Sequence, residues 1–200
     1  MSNIIAICGP TCVEKTNIAR EVSRLCGYKV KHPGEAAKTH AKANKLHSAA
    51  EVPEEHLRTI DDDTKEMARA TPMTMIIESG LVDCVIGDMD NVYLVRLSAS
   101  AEVRQKRFEH RKEEGGGRTR QLGNDVADQD TTDGELRKRL YGNARPAAAL
   151  EIDTSDRGVD DCAREIWEGF VAAKGDEDFY GPQYASSPYK FGNRGKEGSA

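Results

Sequence analysis

No stretch of this 200-residue chain is an apolar run approaching the ~20 residues that cross a bilayer, so no transmembrane helix is expected. Basic charge is not in excess either. Lys and Arg number 29 against 34 Asp and Glu, a net charge of −5, and the pI is near 5.6. That balance argues against nucleic acid or an anionic membrane as the main partner. Cysteines are few and poorly spaced. Cys8, Cys12, Cys26, Cys84 and Cys162 are odd in number, and the Cys8/Cys12 spacing has no matching second pair. A metal knuckle and a disulfide framework are therefore not expected. A charged and apolar leader is also missing, because the chain runs directly into its first predicted strand. These absences together predict a cytoplasmic protein with reduced thiols. The hydrophobic fraction of 38% is low but sufficient for one core, and a mean hydropathy of −0.66 with 32% charged residues describes a very soluble chain.

The stretch around which the rest is organised is Asn3 to Thr16. Ile4, Ile5, Ala6 and Ile7 read as a short buried strand. A tight loop follows over Gly9, Pro10, Thr11, Cys12, Val13 and Glu14, and a helix opens at Lys15-Thr16. This is a phosphate-binding pattern, Gly-x-x-x-x-Gly-Lys-Thr, with Glu14 in place of the second glycine. In such a loop backbone N–H groups and the helix N-terminus face anions, the lysine reaches the β- and γ-phosphates, and the hydroxyl ligates Mg²⁺. Gly9, Lys15 and Thr16 supply three of those parts, with Thr16 the metal ligand.

Downstream, Ile18, Val22 and Leu25 recur at helical spacing and Gly27 is a stop. Tyr28 to Val30 reads as a second strand. Residues 31–70 are polar, with helices over Glu35–His47 and from Pro53 to Met67, and suit an insert that covers a substrate. Thr74 to Glu78 and Asn91 to Leu97 are the next strands, the latter the strongest such signal in the chain. A basic helix over Ala101–Lys112 follows, whose Arg104 and Arg107 are candidates for function against the plainer reading of a solvated face. Gly115 to Gly117 provides a hinge for a lid over 113–135. A helix carrying Leu136 and Tyr141, a strand at Leu150–Thr154 and a helix over Val159–Ala172 complete a domain spanning 1–173. Residues 174–200, with Phe179, Tyr180, Tyr184, Tyr189 and Phe191, read as a flexible tail. Alternation of strands and helices predicts an α/β fold, a three-layer α/β/α sandwich on a central parallel sheet. Its ligands would lie at the carboxyl ends of the strands, near Gly9, Glu78, Ser98 and Asp153.

Four motifs in order, the loop, the Asn91–Leu97 strand with Glu102-Val-Arg104 through Arg107, Arg137 to Gly142, and Ile152-Asp-Thr-Ser155, together with the Glu78-Ser-Gly80 turn, resemble those of the cytidylate kinase-like P-loop nucleoside monophosphate kinases. The resemblance covers about residues 3–172. It implies a phosphotransferase using ATP and Mg²⁺. Lys15, Arg118, Arg120 and Arg139 would be catalytic, and Gly34, Glu78, Arg111 and Arg137 would contact a small-molecule phosphoryl acceptor. It is compatible with a homodimer. The chain departs from the family at Glu14, at a Glu78-Ser-Gly80 turn without arginine, and at Pro33-Gly34-Glu35. The acceptor is therefore either CMP-like or a related small metabolite. A carboxylate ~4 Å from a phosphate charge would cost about 4 kcal/mol at an effective dielectric of ~20, roughly a thousandfold in affinity. Two readings follow. Either Glu14 turns outward, to solvent or a lysine, and the crevice does chemistry, or the protein is a weakened nucleotide- or partner-binding member of the fold.

Overall fold

A computed structural model describes residues 3–71, 73–113, 125–142 and 145–175. Five parallel strands form one sheet: β1 (Ile4–Cys8), β2 (Val30–Lys31), β3 (Met75–Glu78), β4 (Val92–Ser98) and β5 (Leu150–Asp153), in the order β2-β3-β1-β4-β5. The central place of β1 follows from its composition. All five residues are apolar and buried, so both faces of the strand must be covered. Ile5 and Ile7 point to one side, where they meet Ile18 and Val22 of α1 (Lys15–Cys26) and Ile166, Trp167 and Phe170 of α7 (Val159–Lys174). Ile4, Ala6 and Cys8 point to the other, against Ala68 of α3 (Glu54–Ala70) and Val82, Val85 and Ile86 of α4 (Val82–Ile86). This is the expected α/β/α sandwich. Burial of Trp167 and Phe170 contributes on the order of 2–3 kcal/mol each, and edge-on ring contacts to Tyr28 and Tyr93 add direction to that packing.

The parallel register brings the strand ends together. Ile7 pairs with Glu78, Cys8 with Arg96 and Ser98 with Asp153. The turns after β1, β3, β4 and β5 therefore share one edge of the sheet, as expected. Helix α1 ends where Gly27 takes a left-handed backbone and donates its N–H to the Ser23 carbonyl. Strand β2 is shorter and later than the Tyr28–Val30 expectation. Tyr28 instead turns its ring to Trp167. The five-residue α4 was not anticipated, being too short for a helical repeat to show.

The 31–70 segment holds α2 (Gly34–Ala43), a short 3-10 turn at Ala49–Glu51, and α3. Ala37, Ala41, Val52 and Leu57 form a small core there with Leu140 of α6 (Val126–Tyr141). Of the Asp61-Asp-Asp63 run, Asp61 accepts the Tyr141 hydroxyl at 2.6 Å, while Asp62 and Asp63 are exposed. Helix α5 is Ala101–Glu113. The proposed lid over 113–135 divides: its later part from Val126 belongs to α6, begun by Asp125 accepting the Asp128 N–H at 2.9 Å. Its glycine hinge and the 174–200 tail, save Lys174 and Gly175, lie outside the described residues. No helix among the described residues is long and apolar enough to cross a membrane.

Asp83, fully buried on α4, binds both Arg137 Nη atoms at 3.1 Å and lies 3.7 Å from Arg96. Arg96 in turn bonds Glu151 at 2.7 Å. These contacts lock α4, α6 and β4 together. Breaking a buried pair leaves an uncompensated charge, so Asp83→Ala should cost about 3 kcal/mol. Urea denaturation checks this, and a loss below about 1 kcal/mol would show that the two arginines reach water without it.

Candidate functional site

The loop after β1 is held in place by three features of the chain. Gly9 sits at φ 141°, and a Cβ there would lie 2.3 Å from the Leu97 carbonyl oxygen. No side chain fits, and β4 thereby sets the start of the loop. Cys12 and Glu14 both have left-handed backbones, with φ 63° and 65°. Such alternation is the backbone habit of anion-binding nests. It costs a non-glycine residue roughly 1–2 kcal/mol, and it is at Glu14 that the phosphate-loop pattern has glycine.

The third feature is a pair of arginines on α5. Buried Arg104 donates Nε to the Thr11 carbonyl at 2.8 Å and both Nη atoms to Asp130, at 2.9 and 2.5 Å. Arg107 donates to the Cys12 carbonyl at 3.2 Å and to the Thr154 hydroxyl and carbonyl at 3.0 and 2.6 Å. The solvated-face reading of these two residues is therefore corrected. They satisfy loop carbonyls, and the outward face of α5 is carried by pairs such as Glu102–Lys106.

Glu14 turns away from the loop. Its Oε1 accepts Arg111 Nη2 at 2.6 Å and its Oε2 accepts Asn17 Nδ2 at 2.5 Å. The partner is thus an arginine and an amide, not the lysine or solvent expected. Lys15 bends back to donate to the Pro10 carbonyl at 2.6 Å. Burial lowers its pKa, and the carboxylates of Glu78 and Asp133 oppose that shift. Asp133, from α6, has its pKa raised, chiefly by burial. The Thr16 hydroxyl donates to Glu78 Oε2 at 3.2 Å, and His32 Nδ1 lies 2.8 Å from the same oxygen. A cavity of about 420 Å³ lined by Glu14, Asn17, Lys106, Arg107, His110 and Arg111 opens beside the loop.

The other sequence candidates fall in different places. Gly34 begins α2, close to Ser79, whose Oγ would be 3.4 Å from an added Cβ. Arg137 is spent on Asp83 and the Cys84 sulfur, and Arg139 reaches the Ala50 carbonyl at 3.0 Å. Arg137, which the resemblance assigns to the acceptor, here braces α6 against α4. Arg118 and Arg120 lie outside the described residues. His32 and Asp133 were missed. His32 stands just past β2, at the carboxyl edge where such folds place ligands, and Asp133 lies one helical turn from Asp130 and from Arg137 on α6. Among the described residues no cluster of three or more metal-ligating acids, His or Cys exists.

No protein-family model matches the chain, and no curated protein matches it. Solved structures do. A gluconokinase from Sinorhizobium meliloti is similar at TM-score 0.58 and 13% identity, covering 86% of this chain and 93% of that one. A shikimate kinase from Acinetobacter baumannii, in complex with shikimate, is similar at TM-score 0.57 and 17% identity over 87% of this chain and 96% of that one. The tunicamycin resistance protein of Deinococcus radiodurans is similar at TM-score 0.54 and 22% identity over 85% and 96%. The fold is that of P-loop kinases. The narrower resemblance to cytidylate kinases gains no support from these structures.

Burial also governs the loop thiols. It pushes the Cys8 pKa up to about 12 and raises that of Cys12. Cys8 should stay protonated at pH 8 and react with iodoacetamide at least a hundredfold more slowly than a free cysteine, and Cys12 should also react more slowly than a free cysteine. Intact-mass spectrometry of the native chain checks this, and rapid labelling of Cys12 would show that its raised pKa is wrong.

Proposed function

We propose that the protein is an ATP-dependent phosphotransferase acting on a small metabolite. The observation that carries the reading is the loop at the end of the central strand. It has a glycine with no room for Cβ, a half-buried lysine and a threonine hydroxyl at the start of α1, and a carboxylate drawn off by Arg111 and Asn17. These groups fit a nucleoside triphosphate and its magnesium. The metal, bound at Thr16, would neutralise charge building on the β- and γ-phosphates. Lys15 would exchange its bond to the Pro10 carbonyl for one to phosphate oxygen. The cavity between Glu14 and α5 has the size and the basic lining for the rest of a nucleotide. Arg118 and Arg120 are the residues the resemblance assigns to the transferring group. The fold shared with a gluconokinase and a shikimate kinase supports a small-molecule acceptor over the CMP-like one of the sequence resemblance. A cytoplasmic setting suits an ATP-dependent enzyme with free cysteines.

A second reading, a nucleotide- or partner-binding protein without turnover, is favoured only by the strain and charge at Glu14. Calorimetry with MgATP, followed by ADP release against a panel of monophosphates and polyols, separates the two. Wild type should bind, and Lys15→Ala should weaken binding about a hundredfold. Glu14→Gly should bind at least as tightly as wild type. Absence of binding and turnover removes the kinase reading, and a marked loss in Glu14→Gly would give the carboxylate a role of its own.

A further inference from the structure

The carboxyl ends of β2 and β3 place an imidazole and a carboxylate side by side next to the phosphate loop. Lys31 pairs with Ile77 and Ile7 with Glu78, so His32, Glu78 and the loop follow one another along the sheet edge. His32 Nδ1 lies 2.8 Å from Glu78 Oε2. A carboxylate oxygen only accepts, so Nδ1 carries the hydrogen and, in the neutral ring, Nε2 keeps its lone pair. Glu78 is held in turn. It is 8% exposed, and the same oxygen accepts the Thr16 hydroxyl at 3.2 Å. The His32 side chain is 29% exposed, and its bonded edge is fixed by Glu78. Carboxylate and an oriented, partly exposed imidazole form the arrangement of a general base.

The charges around the acceptor side point the same way. A phosphomonoester acceptor is already ionised at its nucleophilic oxygen and needs no base, but it does need cationic partners. Among the described residues Arg96, Arg104, Arg107, Arg111 and Arg137 are each bonded to a carboxylate or a carbonyl of the protein, while Arg145 stands on the other side, near Cys8 and Cys84. Lys15 faces the loop, with Glu78, Asp133 and Lys38 as its charged neighbours. A neutral hydroxyl, by contrast, must lose a proton as it attacks.

We propose that His32 is the general base of this site, that Glu78 is its positioning residue, and that the acceptor is an alcohol of the polyol or hydroxy-acid class. The inference rests on the kinase reading above. In the step, the acceptor O–H bond breaks and its proton passes to His32 Nε2. The acceptor oxygen forms a bond to the γ-phosphorus of ATP. The bond from that phosphorus to the β–γ bridging oxygen breaks, and ADP leaves with the electron pair. His32 then releases its proton to solvent.

The test uses the full chain, MgATP calorimetry, and steady-state turnover on two panels, alcohols and nucleoside monophosphates. His32→Asn can keep a donor toward Glu78. It should leave MgATP affinity within about twofold and acceptor KM nearly unchanged, while kcat falls about 10²- to 10⁴-fold. His32→Ala should fall similarly and recover in part with added imidazole, which a structural role would not allow. Nitrogen-15 NMR of the wild type should show the Nδ1–H tautomer at His32, weakened in Glu78→Gln. Full kcat in His32→Asn overturns the base, as does turnover of monophosphates alone. Loss of MgATP binding in Glu78→Gln with unchanged His32 tautomer assigns the carboxylate to the metal and also overturns the dyad. A wild-type chain that binds no MgATP removes the kinase reading and the base with it.

Discussion

Two guanidinium groups hold the phosphate loop, and the rest of the site depends on them. A loop of this shape leaves carbonyl oxygens without helical or strand partners, and it puts two residues with side chains into left-handed backbone. Arg104 and Arg107 meet the first problem by donating to the carbonyls of Thr11 and Cys12. Charge-assisted bonds of this kind are about twice as strong as neutral ones, which offsets the cost of the strained backbone. Each arginine also has a second anchor, Asp130 on α6 or Thr154 after β5. The loop is thus tied to α5, α6 and β5 at once, and Gly9 presses it against β4. Lys15 and Thr16 have defined positions only because this frame exists.

The architecture was legible because its signals are local. Five consecutive buried residues in β1 could only be a central strand, Gly27 could only end α1 cleanly, and the inward residues of α7 recur every three or four positions. The site was less legible because it is made by side chains distant in sequence. Nothing in the spacing of basic residues distinguishes Arg104, turned inward onto the loop, from Lys106, paired on the surface with Glu102. Likewise the spacing of Arg137 gives no sign of Asp83, 54 residues earlier, which lies against it. His32 escaped notice for the same reason. Its meaning lies in Glu78, which only the pairing of β2 with β3 brings near. Helix α4 was hidden for a different reason, since five residues are too few to show a period.

The small core between α2, α3 and α6 joins these two levels. Ala37, Ala41, Val52 and Leu57 give little apolar area, and Leu140 completes it from the helix that also carries Asp130, Asp133 and Arg137. Helix α6 is therefore a common wall. One side braces the loop through Arg104, another holds α4 through Asp83, and a third supports the segment over β2, where His32 lies.

Glu14 has a consequence for how a nucleotide would reach this crevice. A phosphate loop ordinarily presents a positive field that draws anions in, and added salt weakens that attraction. Here the Glu14 carboxylate cancels the charge of Arg111 at the mouth. Encounter then owes little to long-range attraction. Added salt should therefore change the association rate less here than in a loop with glycine at this position, where it slows encounter.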